Sequence, residues 1–269
     1  NFRKFISGNY LCIEFGYDYI QIAEAYFSKG CINFKKIIRK DIPLEAFDKG
    51  VPSDPLAMGN LVSELIKEEK IFIKRAAIVL SPDSFFTTLI DIPSKIKSKS
   101  LFKYLTDPNS LIQIPININN TDFNVFKTNY KSKKEENDSY FLMATPKFIV
   151  NNLIQTCEEA ELDLNYIEVG FHSLARLINF QELFDNESEN QYLIILELLP
   201  NCTYFTLLDK ESPIMTTRLT SIRSYSLKIG DLSNSNNSEY LPISKLDLKV
   251  LVKEMKSSLN QFFEKSLKK

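Results

Sequence analysis

Near the start of the chain stands Leu11-Cys12-Ile13-Glu14-Phe15-Gly16-Tyr17-Asp18, a short apolar strand that runs into a tight-turn signal. Residues 19–25 and 31–39 have the same strand character, and Lys29-Gly30 marks the turn between them. Because short turns join the three segments, they predict an antiparallel meander.

Three further segments complete the first part of the predicted fold. Residues 54–70 are expected to form a helix, because Asp54 can cap it and its apolar residues recur at helical spacing. Residues 76–80 and 85–92 are expected to be strands, and 165–169 a return strand. We expect the meander and all these strands to lie in one sheet.

The rest of the chain predicts an insert and a second meander. Residues 94–164 change in character and predict a small, separate α+β lobe. Residues 192–199, 203–208 and 214–220 predict a second meander, followed by an amphipathic helix over 243–267. The predicted domains are therefore 1–93 plus 165–190, the insert 94–164, and 191–269.

The composition is typical of a folded chain. It has 269 residues, of which 44% are hydrophobic. At about 150 residues per domain this length predicts two domains, with one large domain as the alternative. Lys and Arg total 33 and Asp and Glu 34, giving a net charge of -1, which excludes the basic footprint of a dedicated nucleic-acid binder. Only seven glycines are present, so few loops can cradle a phosphate group.

Side chains for metal or nucleophilic chemistry are scarce. Cys12, Cys31, Cys157 and Cys202 form no C-x-x-C pair, and we interpret them as free thiols in a reducing compartment. His172 is the only histidine, so it supports no His/Cys metal site and is interpreted as a core or interface residue. No apolar run approaches the ~18 residues of a membrane span, and no signal peptide is visible, so we expect a cytosolic protein.

Six segments, in the same order, resemble the family of the type IV pilus assembly protein PilM. They read C-I-E-F-G at 12–16, K-R-A-A-I-V-L-S-P at 74–82 with L-I-D-I-P at 89–93, I-Q-I-P-I at 112–116, F-L-M-A-T-P at 141–146, I-E-V-G-F-H-S-L-A-R at 167–176 and E-M-K-S-S-L-N-Q-F-F at 254–263. The resemblance implies an α/β (α+β), actin-like (ribonuclease H-like) domain with the inserted lobe, followed by a partial second actin-like domain. It also implies a cytoplasmic protein at the inner membrane face, peripheral to the membrane through its partners. That protein would bind the N-terminal tail of PilN, and the insert would help to form the groove for the tail.

The first phosphate turn departs from the family pattern. The family has Asp, Gly and then small hydroxyl residues, so that the Asp orders the Mg2+ hydration shell and backbone N–H groups can approach the phosphates. Glu14 and Gly16 retain part of this pattern as degenerate nucleotide-binding residues, or Glu14 is merely a carboxylate at a strand end. Tyr17 and Asp18 place bulk and negative charge where phosphate would bind.

The second phosphate turn departs further. Glu197 and Thr203 are its remaining nucleotide-binding candidates, whereas Leu199 replaces the family's glycine and Pro200 has no N–H to donate. The family's Gly-rich adenosine motif would follow residues 254–263, where only six residues of this sequence stand, and we expect this third nucleotide contact to be altered or missing. We therefore predict no catalytic residue, no metal and no cofactor, with ATP and Mg2+ not favoured.

These departures favour a non-catalytic scaffold or adaptor of type IV pilus assembly. Two alternatives stay open. One is an active actin-like ATP-binding protein whose nucleotide segment lies beyond Lys269, and the other is a relative of the type II secretion protein GspL. Homo-oligomerisation also stays open.

The candidate partner site is the apolar run Ile114-Pro115-Ile116 in the insert. Its proline blocks regular strand pairing, so part of the run can stay exposed, and tail peptides commonly bind by strand addition. The alternative interpretation is that these residues form the core of the insert.

Overall fold

The structure is a computed structural model of the chain. It describes residues 9–16, 18–28, 31–42, 44–48, 50–107, 120–130, 132, 134–180, 191–199, 202–210, 212–220 and 244–268. The elements below are those of the described residues.

Among the described residues, five strands come before the first α-helix, and helices then separate the later strands. The strands are β1 (Asn9–Phe15), β2 (Tyr19–Ser28), β3 (Cys31–Asp41), β4 (Phe47–Asp48), β5 (Val51–Pro52), β6 (Arg75–Leu80), β7 (Phe86–Pro93), β8 (Thr121–Lys127), β9 (Asn137–Pro146), β10 (Asp163–Val169), β11 (Leu193–Leu198), β12 (Thr203–Leu208) and β13 (Pro213–Leu219). The helices are α1 (Pro55–Glu68), α2 (Leu101–Thr106), α3 (Lys147–Glu159), α4 (Gly170–Phe180) and α5 (Lys245–Lys268). None of the helices in the described ranges is both long and apolar enough to cross a membrane.

The chain divides into two compact units. The first comprises residues 1–86, 116–123 and 144–173, and the second comprises 87–115, 124–143 and 174–269. The three-part domain division drawn from the sequence stays a prediction.

A five-stranded sheet with the order β10-β6-β1-β2-β3 forms the centre of the first unit. β1, β2 and β3 are antiparallel neighbours, whereas β6 is parallel to both β1 and β10. Alternate residues of β1, Leu11, Ile13 and Phe15, are buried in the core, as the period of two in a strand requires. The predicted sheet of meander, buried strand and return strand is confirmed.

Helices α1 and α3 pack together in the same unit and contribute to its core. Asp54 caps α1, because its carboxylate accepts hydrogen bonds from the backbone N–H groups of Leu56 and Ala57, both at 3.0 Å. The helices approach closely at Gly59, where an added Cβ would lie 2.7 Å from the Thr156 carbonyl oxygen. A glycine at this point therefore sets the spacing between the helices.

The predicted place of strand 85–92 in the first sheet is wrong. β7 joins a separate three-stranded sheet with the order β7-β9-β8. β7 cannot pair with β6, the strand before it in the chain, because β1 pairs with one side of β6 and β10 with the other; it pairs with β9 instead. Ser139 on β9 donates its hydroxyl to the Asp91 carboxylate on β7 at 2.7 Å and so ties the new pair together.

The second meander lies in the second unit and has the antiparallel order β11-β12-β13. Helix α5 packs against it, with Leu251 buried in a cluster with Phe205 and Leu219. The carboxylate of Glu254 on α5 accepts hydrogen bonds from the backbone N–H and the hydroxyl of Thr220. The predicted meander and amphipathic helix are confirmed.

Candidate functional site

The first predicted site is the hairpin turn between β1 and β2, in the first unit. Glu14 lies one residue before the end of β1, and Gly16 follows that strand directly. The Gly16 N–H donates to the Tyr19 carbonyl at 2.9 Å, and the Ile42 N–H donates to the Asp18 carbonyl at 2.7 Å. The amide that the family pattern would offer to a phosphate is therefore already paired within the hairpin.

The side chain of Tyr19 fills the space beside Gly16. A Cβ added to Gly16 would overlap the Tyr19 ring, and the ring is buried, with Tyr19 only 7% exposed. The Tyr19 hydroxyl donates to Glu14 Oε1 at 2.7 Å. On β3, the Arg39 guanidinium carbon lies 3.8 Å from the centroid of the same ring, which is a cation–π contact.

Burial and the nearby carboxylate keep this tyrosine protonated. Desolvation is the largest cause that raises the pKa of Tyr19, followed by the negative charge of Glu14 and the hydrogen bond to it. Arg39 acts in the opposite direction but does not reverse the shift. Tyr19 therefore remains a hydrogen-bond donor to Glu14 at any physiological pH.

A turn from another part of the first unit supports this hairpin. Gly50, between β4 and β5, has φ of +77°, a conformation that glycine adopts without strain. A Cβ added there would lie 2.9 Å from the Phe15 carbonyl oxygen and 3.2 Å from Ser81 Cβ. Residue 50 therefore lies so close to the backbone of the first turn that no side chain fits between them.

The second predicted site is the hairpin turn between β11 and β12, in the second unit. Glu197 lies opposite Tyr204 in the strand register, and Leu198 opposite Thr203. The Leu199 N–H donates to the Cys202 carbonyl at 2.9 Å. Thr203 is fully buried, and its hydroxyl oxygen has no hydrogen-bond partner within the described part of the chain, so a nucleotide in solvent has no access to it. Pro200, which the sequence analysis singled out, lies outside the described residues.

The two turns close in the same way, by a backbone hydrogen bond across the hairpin. In each, the N–H of the residue directly after the first strand donates to a carbonyl across the turn, that of Tyr19 at the start of β2 or that of Cys202 just before β12. A phosphate loop needs such N–H groups free and pointing at the ligand. In the first turn the Tyr19 ring also fills the space beside the glycine.

Sequence reasoning missed Tyr19 and Arg39 as members of the first site. The signal available was register: Arg39 pairs with Gln21 across β2 and β3, two residues along from Tyr19, so its side chain is within reach of the tyrosine ring. The bulk expected at the turn was assigned to Tyr17, which lies outside the described residues.

Two other predictions concern Ile114-Pro115-Ile116 and His172. The tripeptide lies outside the described residues. His172, near the start of α4, is partly buried, and its Nδ1 lies 3.4 Å from Oε2 of Glu168 at the end of β10. Within the described ranges, no group of three or more His, Cys, Asp and Glu side chains could hold a metal ion.

Comparisons with known proteins agree with the geometry of the fold. The family model described as "Type IV pilus assembly protein PilM" matches residues 12–219. A solved structure described as "PilM-PilN type IV pilus biogenesis complex" is 17% identical and aligns over 94% of this chain and 76% of that one, with a TM-score of 0.67. A search of curated protein sequences found no match.

Two further solved structures are less similar. The cytoplasmic domain of EpsL, an inner membrane component of the type II secretion system of Vibrio cholerae, is 12% identical over 87% of this chain and 80% of that one, with a TM-score of 0.48. A Bacteroides thetaiotaomicron protein with an actin-like ATPase fold is 11% identical over 94% and 89% of the two chains, with a TM-score of 0.45. The expected actin-like α/β fold is confirmed by the PilM family model and by the structural match to the PilM-PilN complex.

Proposed function

The chain belongs to the family of the type IV pilus assembly protein PilM, and from this premise we propose that it is a non-catalytic scaffold that binds the N-terminal tail of a PilN-like inner-membrane protein. The observation that carries the proposal is the match of 94% of the chain to the PilM-PilN complex structure, at a TM-score of 0.67. The scaffold would lie at the cytoplasmic face of the inner membrane and be held there by its partner.

The two hairpin turns support the non-catalytic part of the proposal. The Gly16 and Leu199 amides both donate to carbonyls of their own hairpins, at 2.9 Å in each case. Releasing them for a phosphate would break one backbone hydrogen bond in each turn, and each such bond contributes about 1 kcal/mol net. The carboxylate and the tyrosine hydroxyl at the first turn are likewise paired with each other.

The tail is proposed to bind at Ile114, Pro115 and Ile116. The support for this site is chemical: an apolar run whose proline cannot complete a strand ladder leaves an edge to which an extended peptide can add. Backbone hydrogen bonds would then supply affinity, and pockets for alternate side chains would supply specificity.

The test is a titration of the whole chain with a synthetic N-terminal tail of the candidate partner. We expect the tail to bind the wild type, and we expect Ile114→Asp and Ile116→Asp to weaken binding at least about tenfold, equivalent to ~1.4 kcal/mol. Ile37→Asp is the matched control, because Ile37 is a 59% exposed isoleucine on β3. Undiminished binding by both variants, with folding verified by circular dichroism, would remove this run from the site.

A further inference from the structure

We propose that Tyr19 is a built-in occupant of the first phosphate turn, so that a side chain of the protein itself fills the space that a phosphate would need. The inference rests on the proposed function, because it explains how a scaffold keeps this turn ordered without nucleotide. It assigns Tyr19 and Arg39 a role that neither the sequence motifs nor the family match gives them.

The space beside Gly16 is already filled. Gly16 is buried, and the Tyr19 ring lies against it so closely that even a methyl group on Gly16 would overlap the ring. The ring is 93% removed from solvent, since Tyr19 is 7% exposed. A phosphate could reach Gly16 only after the ring had left its packed site, and exposing a large apolar side chain to water is unfavourable.

Negative charge at the turn also favours a neutral occupant. Glu14 carries a negative charge at the turn, and Asp18 adds another two residues beyond Gly16. Both repel phosphate, whereas the neutral Tyr19 hydroxyl donates a hydrogen bond to the Glu14 carboxylate at 2.7 Å. A phenol is therefore a better occupant of this turn than an anion is.

Arg39, the cation beside this ring, already has partners within the chain. Its guanidinium stacks over the Tyr19 ring at 3.8 Å, and its Nε lies 3.9 Å from the Asp41 carboxylate. The positive charge that could attract a phosphate therefore contacts the tyrosine ring and a carboxylate instead.

The first turn is then expected to keep the same structure with and without ATP in solution. Since no nucleotide enters or leaves, tail binding would not be switched by ATP. The scaffold would be constitutively competent to bind its partner.

The experiment measures the melting temperature of the full chain. The wild type is expected to show no change with ATP and Mg2+, and Tyr19→Ala to melt about 5–10 °C lower, because a buried aromatic is lost from a chain of this size. Removing the ring opens a cavity of defined shape, and such cavities bind small aromatic molecules. We therefore expect p-cresol to recover part of the loss in Tyr19→Ala and to leave the wild type unchanged.

A second variant keeps the proposal testable if Tyr19→Ala does not fold. Tyr19→Phe retains the ring and loses only the hydroxyl, so it should melt slightly below the wild type and still show no change with ATP and Mg2+. A wild type or Tyr19→Phe variant that ATP and Mg2+ stabilise would overturn the proposal, and so would a folded Tyr19→Ala that p-cresol fails to stabilise. Failure of the tail to bind, with these results intact, would overturn the proposed function and leave the inference standing.

Discussion

Replacing Asp209 with asparagine should destabilise the second unit by about 2–4 kcal/mol. Asp209 is 4% exposed, and its Oδ2 accepts hydrogen bonds from the N–H groups of Asn129 at 2.8 Å and Tyr130 at 3.1 Å. Its Oδ1 accepts from the Ser212 N–H at 2.8 Å. The carboxylate thus links the chain after β8 to the β12–β13 hairpin.

The magnitude follows from counting acceptors. Asparagine keeps one oxygen and turns an NH2 group toward at least one of the three N–H donors. Losing one hydrogen bond to a charged acceptor costs about 1.5–3 kcal/mol, and a buried N–H left without a partner costs about 1–3 kcal/mol. Part of this cost is relieved by local relaxation, which gives the expected range.

The assay is urea unfolding followed by far-ultraviolet circular dichroism, since the chain has no tryptophan. The matched control is Asp138→Asn. Asp138 pairs with Lys127 at 3.1 Å near the surface, where an ion pair contributes about 0.2–1 kcal/mol. The reasoning is refuted if Asp209→Asn costs no more than Asp138→Asn.

Two further predictions test the first unit. Gly59→Ala should lower the free energy of unfolding in urea by about 1–2 kcal/mol, because overlap of the added methyl group with Thr156 outweighs the usual ~1 kcal/mol helical preference for alanine. A variant more stable than the wild type would show that the two helices can move apart without cost. Burial, together with the charge of Glu158, raises the pKa of Cys157 to about 12, so this thiol should resist a disulfide reagent at pH 8 while exposed Cys31 reacts. Equal reaction rates for the two native thiols would contradict the burial of Cys157.

Local sequence pattern was sufficient for the elements and for the central sheet. Leu11, Ile13 and Phe15 alternate with polar or small residues, and the glycine after them marks the turn, so the first strand and its hairpin could be predicted from short-range chemistry. The place of β7 could not, because strand pairing is set by long-range partners. Its partner strand β9 begins 44 residues after β7 ends, at Asn137 after Pro93.

The first site shows a similar division. The sequence marked Glu14 and Gly16 because they match a family turn, and it indicated that bulky residues would obstruct that turn. It did not identify Tyr19. The ring that packs over Gly16 is selected by side-chain packing across the β1–β2 hairpin and by Arg39 on the neighbouring strand β3. The hydrogen bond from the Leu199 N–H to the Cys202 carbonyl could not be predicted either. The sequence shows that the N–H exists but not which acceptor it reaches.

The most direct test of the scaffold proposal is calorimetric titration of the wild-type chain with the PilN-like tail peptide, without and with ATP and Mg2+. The account predicts binding in both conditions, with dissociation constants that agree within about twofold, a difference of ~0.4 kcal/mol. A tail that does not bind, or whose affinity changes by about tenfold or more with nucleotide, would contradict it.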